Sequence, residues 1–374
     1  MSNNIIKKKV LIASNSSWNL FNFRYPIIIK LISDNCDVIV CGANDESAKK
    51  LIELGCCFIN INVDSNGKNP LNDFILFFHF IYIFFREKPD VFMSFTIKPN
   101  IYGSLAAHIF KIPVINTVTG LGSGFLKDNL LRRLICFLYK ISLIKSSAVF
   151  FQNADDLNFF VATDLVKKDI CFLVAGSGVN IHKFNYSPIS STNSFKFLFV
   201  GRLLRDKGIL EYLEASRLLR KKFNGVKFSI LGSFYKNNPN SISSEHILEY
   251  VKDGIVEYYG TTEDVSNYLK EAHCVVLPSY REGIPRVLLE AAAVGRPMIA
   301  TDVPGCREVV EDAVNGYLCT PKDVIDLSNK MSLMCGNSLL KLNQMGRNAR
   351  TKIENYFDEN QVVETYMRQI KPHL

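Results

Sequence analysis

Read for its apolar and polar positions, the chain breaks into short hydrophobic runs separated by longer segments with helical spacing. Runs at 10–14 (VLIAS), 37–41, 57–61, 91–94, 114–116 and 148–152 are each largely apolar and bounded by polar, glycine or proline residues. A strand that is apolar throughout belongs inside a parallel sheet, where both of its faces are covered. Helix-compatible stretches such as 24–31 and 100–110 lie between the runs, and this alternation predicts a parallel sheet flanked by helices. At 184–194 (FNYSPISSTNS) the pattern lapses into the Ser, Asn and Pro composition of a linker. It restarts at 195–200 and continues through strands predicted at 227–231, 255–259, 274–278 and 298–301. The expectation is two doubly wound α/β domains, 1–184 and 195–355, with a last helix at 356–374 placed to pack back on the first domain.

Composition narrows the picture. A chain of 374 residues has the length of two domains, and at 48% hydrophobic and 21% charged it buries a core rather than staying disordered. The net charge of +8 is uneven: residues 1–200 hold 21 Lys and Arg against 14 Asp and Glu, and the remainder holds 23 against 22. The ten cysteines are scattered with no C-x-x-C pair, the usage of small core residues in a reducing compartment. The first ten residues carry three lysines and no apolar signal-peptide core. Residues 74–85 (FILFFHFIYIFF) fall short of the roughly 20 needed to span a bilayer and are interrupted by His79, so they read as a buried helix or as one entering a single leaflet. Residues 129–145 place Leu131, Leu134, Ile135 and Leu138 at helical spacing with Arg132, Arg133, Lys140, Lys145 and no acid, either a domain helix with a solvated basic face or an interfacial one.

Ligands of doubly wound folds bind beyond the carboxyl ends of the strands, and two such loops carry candidate chemistry. In 277–316 the strand at 274–278 feeds a loop, and a helix is expected to start near Ile284, with Pro285 in its first turn and Gly295 just past its end. Glu282 and Glu290 bracket that start; were the span fully helical they would lie about 12 Å apart on one side. The spacing suits two sugars joined by a diphosphate: each carboxylate accepts from a sugar diol, while N–H groups of residues 283–286 face the anion. In 199–208 (FVGRLLRDKG) a strand ends at Gly201, and Arg202, Arg205 and Lys207 follow. Cations there can neutralise a diphosphate, Arg202 bidentately and Lys207 as a point charge.

FVGRLLRDKG, GTTEDV (260–265), REGIPRVLLEA and TDVPGCREVV (301–310) resemble the retaining family 4 glycosyltransferases of GT-B fold, tightly over 196–320. The resemblance implies two Rossmann-like domains facing an interdomain cleft. It implies that Arg202 and Lys207 bind the donor diphosphate, that Glu290 binds the ribose, that Glu282 with the backbone of Gly283, Ile284 and Pro285 holds the donor sugar, and that Gly201 and Thr262 border the nucleotide. The segments at 89–107, 117–125 and 151–156 are similar to a subgroup that builds O-antigens, capsules and bacterial glycoprotein glycans on undecaprenyl diphosphate. By that likeness Lys98, Gly120, Gly122 and Gly124 line the acceptor side. The subgroup favours UDP-N-acetylgalactosamine and an α-1,3 bond over galactose, glucose or N-acetylglucosamine.

No D-x-D pair and no zinc-spaced His/Cys cluster occurs, so no metal or other cofactor is expected beyond the UDP-sugar donor itself. Many family members carry a histidine in the loop where this chain reads 117–120; the nearest, His108, falls inside a predicted helix, so no general base is assigned. Front-face attack, with the departing phosphate oxygen taking the acceptor proton, fits a site whose glutamate is occupied with the sugar. The expected setting is a cytoplasmic enzyme docked on the anionic inner face of the plasma membrane to reach a lipid-linked sugar. Two alternatives stay open: a UDP-sugar 2-epimerase of the same architecture, and a non-enzymatic nucleotide-sugar-binding protein. Nucleic acid is not an expected partner, since no recognised module or aromatic-interleaved basic run is present.

Overall fold

The apolar runs become strands that pair in parallel. A computed structural model of the chain describes residues 7–63, 70–121, 130–191, 194–235, 238 and 240–374. Two units divide it: unit 1 is Met1–Ser177 with Asn360–Leu374, and unit 2 is Gly178–Glu359. Unit 1 runs β1 (Lys9–Ser16), α1 (Ser17–Ser33), β2 (Asp37–Ala43), α2 (Ser47–Glu53), β3 (Cys57–Asn60), α3 (Pro70–Glu87), β4 (Val91–Phe95), α4 (Ser104–Ile109), β5 (Val114–Val118), α5 (Leu130–Leu143), β6 (Ala148–Phe151), α6 (Ala154–Ala162) and β7 (Cys171–Leu173). Unit 2 runs β8 (Phe195–Val200), α7 (Ile209–Arg220), β9 (Val226–Leu231), α8 (Ser244–Lys252), β10 (Glu257–Tyr258), α9 (Ser266–Glu271), β11 (Cys274–Leu277), α10 (Arg286–Ala293), β12 (Met298–Thr301), α11 (Cys306–Val309), β13 (Gly316–Cys319), α12 (Val324–Cys335) and α13 (Leu339–Tyr356). The chain then returns to unit 1 through α14 (Glu359–Ile370).

The sheet orders are β3-β2-β1-β4-β5-β6-β7 and β10-β9-β8-β11-β12-β13. Counted within each unit, both begin 3-2-1-4-5-6, the doubly wound order in which winding reverses between the first and fourth strands. That reversal lies between β1 and β4 in unit 1 and between β8 and β11 in unit 2. Strands β7 and β13 were not expected from the apolar runs. Both are sheet edges of three and four residues with half-buried positions, so they lack the continuous apolar signal of the inner strands.

Side-chain alternation assigns the helices of unit 1 to faces. Val10, Ile12, Val91, Met93 and Phe150 share a core with Leu20, Ile27 and Leu31 of α1 and with Val362, Tyr366 and Ile370 of α14. Leu11, Ala13, Phe92 and Val114 face the other way, onto Leu76, Phe80, Ile83 and Phe84 of α3 and Ala106 and Ala107 of α4. Val149 and Phe151 point to that second side too, onto Tyr139 and Leu143 of α5 and Phe160 of α6. Helices α3, α4, α5 and α6 therefore cover one face, and α1 and α14 cover the opposite one.

The described part of the expected linker, 184–191, is not free, and the units divide upstream of it, between 177 and 178. Buried Arg296 donates to the carbonyl of Ser187 at 2.5 Å, as well as to those of Leu269 and Lys270. Asn343 bonds both backbone groups of Ile189, at 2.9 and 3.1 Å. Ser and Pro here mark irregular backbone that side chains of unit 2 hold down. The helix expected to start near Ile284 begins at Arg286, with Pro285 as its N-cap at φ −74° and ψ 117°. Its end is a Schellman turn: the Gly295 N–H donates to the Ala292 carbonyl and that of Arg296 to Ala291. Gly295 holds φ +83°, and a Cβ there would stand 2.5 Å from the Tyr186 ring.

Candidate active site

The loop after β8 is fixed by its apolar residues and its glycines. Leu203 and Leu204 are fully buried anchors, and the backbone bonds Leu203 N–H to the Ser233 carbonyl and Arg205 N–H to that of Asn240. A single 3-10 turn, Arg205–Lys207, follows. Gly208 then takes φ +72° against the end of β11, where a Cβ would stand 2.0 Å from the Pro278 carbonyl oxygen. Only glycine permits both the left-handed conformation and that approach. The loop after β11 leans on the same turn: the Asp206 carbonyl accepts from the Tyr280 N–H at 2.9 Å and the Ser279 hydroxyl at 3.1 Å.

These contacts bring Lys207 and Glu282 together, Nζ to Oε1 at 2.5 Å with both side chains mostly buried. A lysine after the first strand and a glutamate after the fourth therefore meet at the reversal of winding, across two loops 75 residues apart. Buried like this, each charge depends on the other. A ligand offering an anion to one and hydroxyls to the other can take over both contacts. Arg202 is exposed, with its guanidinium carbon 5.6 Å from the Tyr235 ring centroid. Gly201 donates to the Leu231 carbonyl at 3.0 Å, and its own carbonyl oxygen lies 1.8 Å from where a Cβ of Gly232 would stand.

Glu290 lies on α10, buried, and accepts from Arg286 Nε at 2.8 Å one turn earlier. Burial raises its carboxyl above the ordinary glutamate range, and Arg286 opposes the shift. Because Glu282 sits in the loop and the helix starts only at Arg286, a fully helical rise between the two glutamates does not apply. For the same reason Gly283, Ile284 and Pro285 are loop and cap, Pro285 has no N–H to offer an anion, and the positive end of the helix dipole falls at Arg286. Thr262 is on an exposed turn, its hydroxyl bonded to the N–H and carbonyl of Asp264 at 3.1 Å.

In unit 1, Lys98 follows β4 and pairs with Asp73 of α3 at 2.7 Å. Gly120 takes φ +109° after β5. Gly122 and Gly124 lie outside the described residues. His108 bonds the Ser142 carbonyl at 2.8 Å, and burial lowers its pKa, the behaviour of a packed residue. Among the described residues, no group of three or more His, Cys, Asp or Glu gathers as a metal site.

The residues that hold this site in shape do not stand out in the sequence. Tyr280 donates to Glu211 of α7 at 2.6 Å, and burial and that carboxylate push its phenol well above the ordinary range. Gly305, at φ +81°, lets its loop touch the Glu282 loop: a Cβ would stand 1.7 Å from the Gly283 carbonyl oxygen. Thr301 donates to the Ser279 carbonyl. Only the Arg286–Glu290 spacing of four was readable as a pair; the others meet through the sheet.

Two units of this strand order have the architecture of the GT-B glycosyltransferases. The chain belongs to the glycosyltransferases of group 1: the family Glycosyl transferases group 1 matches residues 183–352, Glycosyl transferase 4-like matches 9–153, and a curated relative matches nearly end to end. That relative is the Campylobacter jejuni N,N'-diacetylbacillosaminyl-diphospho-undecaprenol alpha-1,3-N-acetylgalactosaminyltransferase, 32% identical over 95% of this chain and 96% of its own. The Escherichia coli UDP-Gal:alpha-D-GlcNAc-diphosphoundecaprenol alpha-1,3-galactosyltransferase is 26% identical over 73% of each. The crystal structure of Anabaena HepE in complex with UDP is similar in fold, with a TM-score of 0.78 at 19% identity over 98% of this chain and 100% of that one. Family membership makes the chain a transferase rather than an epimerase or a binding protein.

Proposed function

We propose that this chain transfers an N-acetylhexosamine or hexose, N-acetylgalactosamine in α-1,3 linkage before others, from a UDP-sugar to an undecaprenyl-diphosphate-linked sugar in bacterial surface glycan assembly. The Lys207–Glu282 contact carries the reading. A donor diphosphate draws on Lys207 and Arg202, the donor sugar's hydroxyls on Glu282, and the ribose hydroxyls on Glu290. Both curated relatives described above are named for transfer to a diphosphoundecaprenol-linked sugar, and the more similar one for N-acetylgalactosamine.

The chemistry proposed is retaining and needs no metal. The acceptor hydroxyl attacks the anomeric carbon on the face the leaving group departs from. The bond from that carbon to the UDP oxygen breaks, the new glycosidic bond forms, and the acceptor proton passes to the departing phosphate oxygen. Arg202, Lys207 and the start of α10 stabilise the charge that develops there. The test is incubation with single UDP-sugars, with and without an undecaprenyl-diphosphate-linked sugar, in EDTA. We expect acceptor-dependent transfer with the α configuration kept; interconversion of the UDP-sugar without acceptor, or an absolute requirement for divalent metal, overturns the reading.

Docking on an anionic inner leaflet is part of the same proposal. Among the described residues no helix is long and apolar enough to cross a membrane. Yet α3 buries only one side, leaving Leu71, Phe74, Ile75, Phe78, Tyr82 and Phe85 at 50–70% exposure. On the same face of the sheet α5 exposes Leu130, Leu134 and Phe137 beside Arg133 and Lys140. Each apolar side chain withdrawn from water contributes about 1.5–3 kcal/mol, and each basic residue near anionic lipid about 1 kcal/mol. Replacing Phe74, Phe78 and Phe85 together by Ser is expected to abolish flotation with anionic vesicles; unchanged flotation contradicts the docking.

A further inference from the structure

Unit 1 repeats the strand order of unit 2, so its counterpart of the Glu282 loop is the turn leaving β4, beside β1 at the reversal of winding. Ligands of open α/β sheets bind at such a point. Thr96, the first residue of that turn, holds φ +69° and is the one β-branched residue among the described non-glycine residues with positive φ. Among the described residues its hydroxyl oxygen is buried with no hydrogen-bond partner, and its carbonyl accepts from the Asn100 N–H at 3.0 Å. Such a conformation persists only where the surroundings over-determine it.

Here they do. Ser94, Asn100, Ser104 and Asn116 are fully buried and Ser146 nearly so. Ser94 Oγ donates to Asn100 Oδ1 at 2.7 Å, Asn116 Nδ2 donates to Ser94 Oγ at 2.8 Å and Ser104 Oγ at 2.7 Å, and Ser146 Oγ donates to Asn116 Oδ1 at 2.6 Å. Asn100 Nδ2 closes the set on the Thr117 carbonyl at 2.8 Å. The π-helical turn Pro99–Gly103 grows from this network, a geometry that recurs at functional sites. Apolar side chains could fill the same volume, so a satisfied network here specifies position more than stability. What it positions is Lys98, the residue before the π-helix, which Asp73 holds from α3 while the Tyr102 hydroxyl donates to the same carboxylate at 3.0 Å.

We propose that residues 96–100 form the subsite for a phosphate of the acceptor: Lys98 binds the anion, exchanging Asp73 for it, and Thr96 is a positioning residue that fixes Lys98 through its backbone. This rests on the reading above that the acceptor carries a diphosphate. A lysine held on a strained, fully supported turn meets a phosphate as a fixed point charge.

The test uses the full chain and two lipid acceptors with the same terminal sugar, one diphosphate-linked and one a neutral glycoside. Lys98→Met is expected to raise the KM of the diphosphate acceptor relative to the neutral one about tenfold or more, the scale of a lost charge-assisted contact. Thr96→Gly, in which φ +69° is costless, is expected to raise the same ratio about threefold or more while Tm holds or rises. The double variant should be no worse than Lys98→Met alone, because Thr96 acts through Lys98. The proposal is overturned if Thr96→Gly leaves the ratio unchanged, if the two effects multiply, or if Lys98→Met lowers Tm without moving the ratio, the mark of a counterion for Asp73. Wild-type enzyme that uses the two acceptors equally overturns the subsite alone. Wild-type enzyme that uses neither overturns the acceptor reading on which it rests.

Discussion

The two units share a strand order and differ in how they build the same place in it. At the reversal of unit 2, charged side chains touch directly: Lys207 and Glu282 meet, and glycines at 208 and 305 bring their loops into contact. At the reversal of unit 1, a buried network of neutral side chains holds a strained turn, and the ion pair of Lys98 with Asp73 lies on it. Charge follows the division: unit 1 holds 21 Lys and Arg against 15 Asp and Glu, and unit 2 holds 23 against 21. A nearly balanced unit with a few placed charges suits a small dianionic donor. A basic unit with exposed apolar helices suits an acceptor that comes from an anionic surface. On the proposed reading, one fold would serve two partners by changing what stands after its fourth strand.

The largest effect that could break this comparison is in unit 2. Glu282→Ala or Lys207→Ala is expected to lower kcat by about a thousandfold with cooperative unfolding retained; activity near wild type in either variant removes the site. Gly305→Ala comes next. Its Cβ would overlap the Gly283 carbonyl oxygen from a left-handed backbone, so kcat should fall about tenfold or more as the Glu282 loop moves; a variant with wild-type kcat shows that the loop contact is not needed. Arg296→Met probes the frame. Several carbonyls lose their donor, and urea unfolding should show a loss of more than about 3 kcal/mol; a loss below about 1 kcal/mol would mean that 184–191 is held by other contacts.

The smallest expected effect is a pH dependence. Burial raises the Glu290 carboxyl above its ordinary value of 4.5, so the folded chain takes up that proton at higher pH than the unfolded chain. Its contribution to stability is therefore greatest in acid and is lost as pH rises through the raised pKa. Donor binding runs the other way, because ribose hydroxyls need the ionised form: donor kcat/KM should fall on acidification with a midpoint above 4.5, and Glu290→Gln should flatten that limb. An unchanged profile in the variant assigns the ionisation to another group.

Much of this was legible in the sequence where the physics is local. Continuous apolar runs gave the inner strands, and Gly295 marked the end of α10. Arg202, Lys207, Glu282 and Glu290 stood out because charge beside a strand end is conspicuous. What the sequence hid depends on long-range pairing. Edge strands β7 and β13 are half exposed, so their composition is mixed. Proline and serine at 184–194 indicate irregular backbone, but not that Arg296 and Asn343 bind it. Pro285 fits both N-cap and first turn, so the sequence places the start of α10 two residues early. Thr96 carries no signal at all, since a left-handed β-branched residue follows only from the network beneath it.

The division of labour between the units is tested most directly by bisubstrate kinetics on Glu290→Gln and Lys98→Met with the same UDP-sugar and diphosphate-linked acceptor. The account predicts that Glu290→Gln raises the donor KM and that Lys98→Met raises the acceptor KM, each by about tenfold, with the larger effect of each variant on its own substrate. A rise in donor KM for Lys98→Met with the acceptor KM unmoved would contradict it.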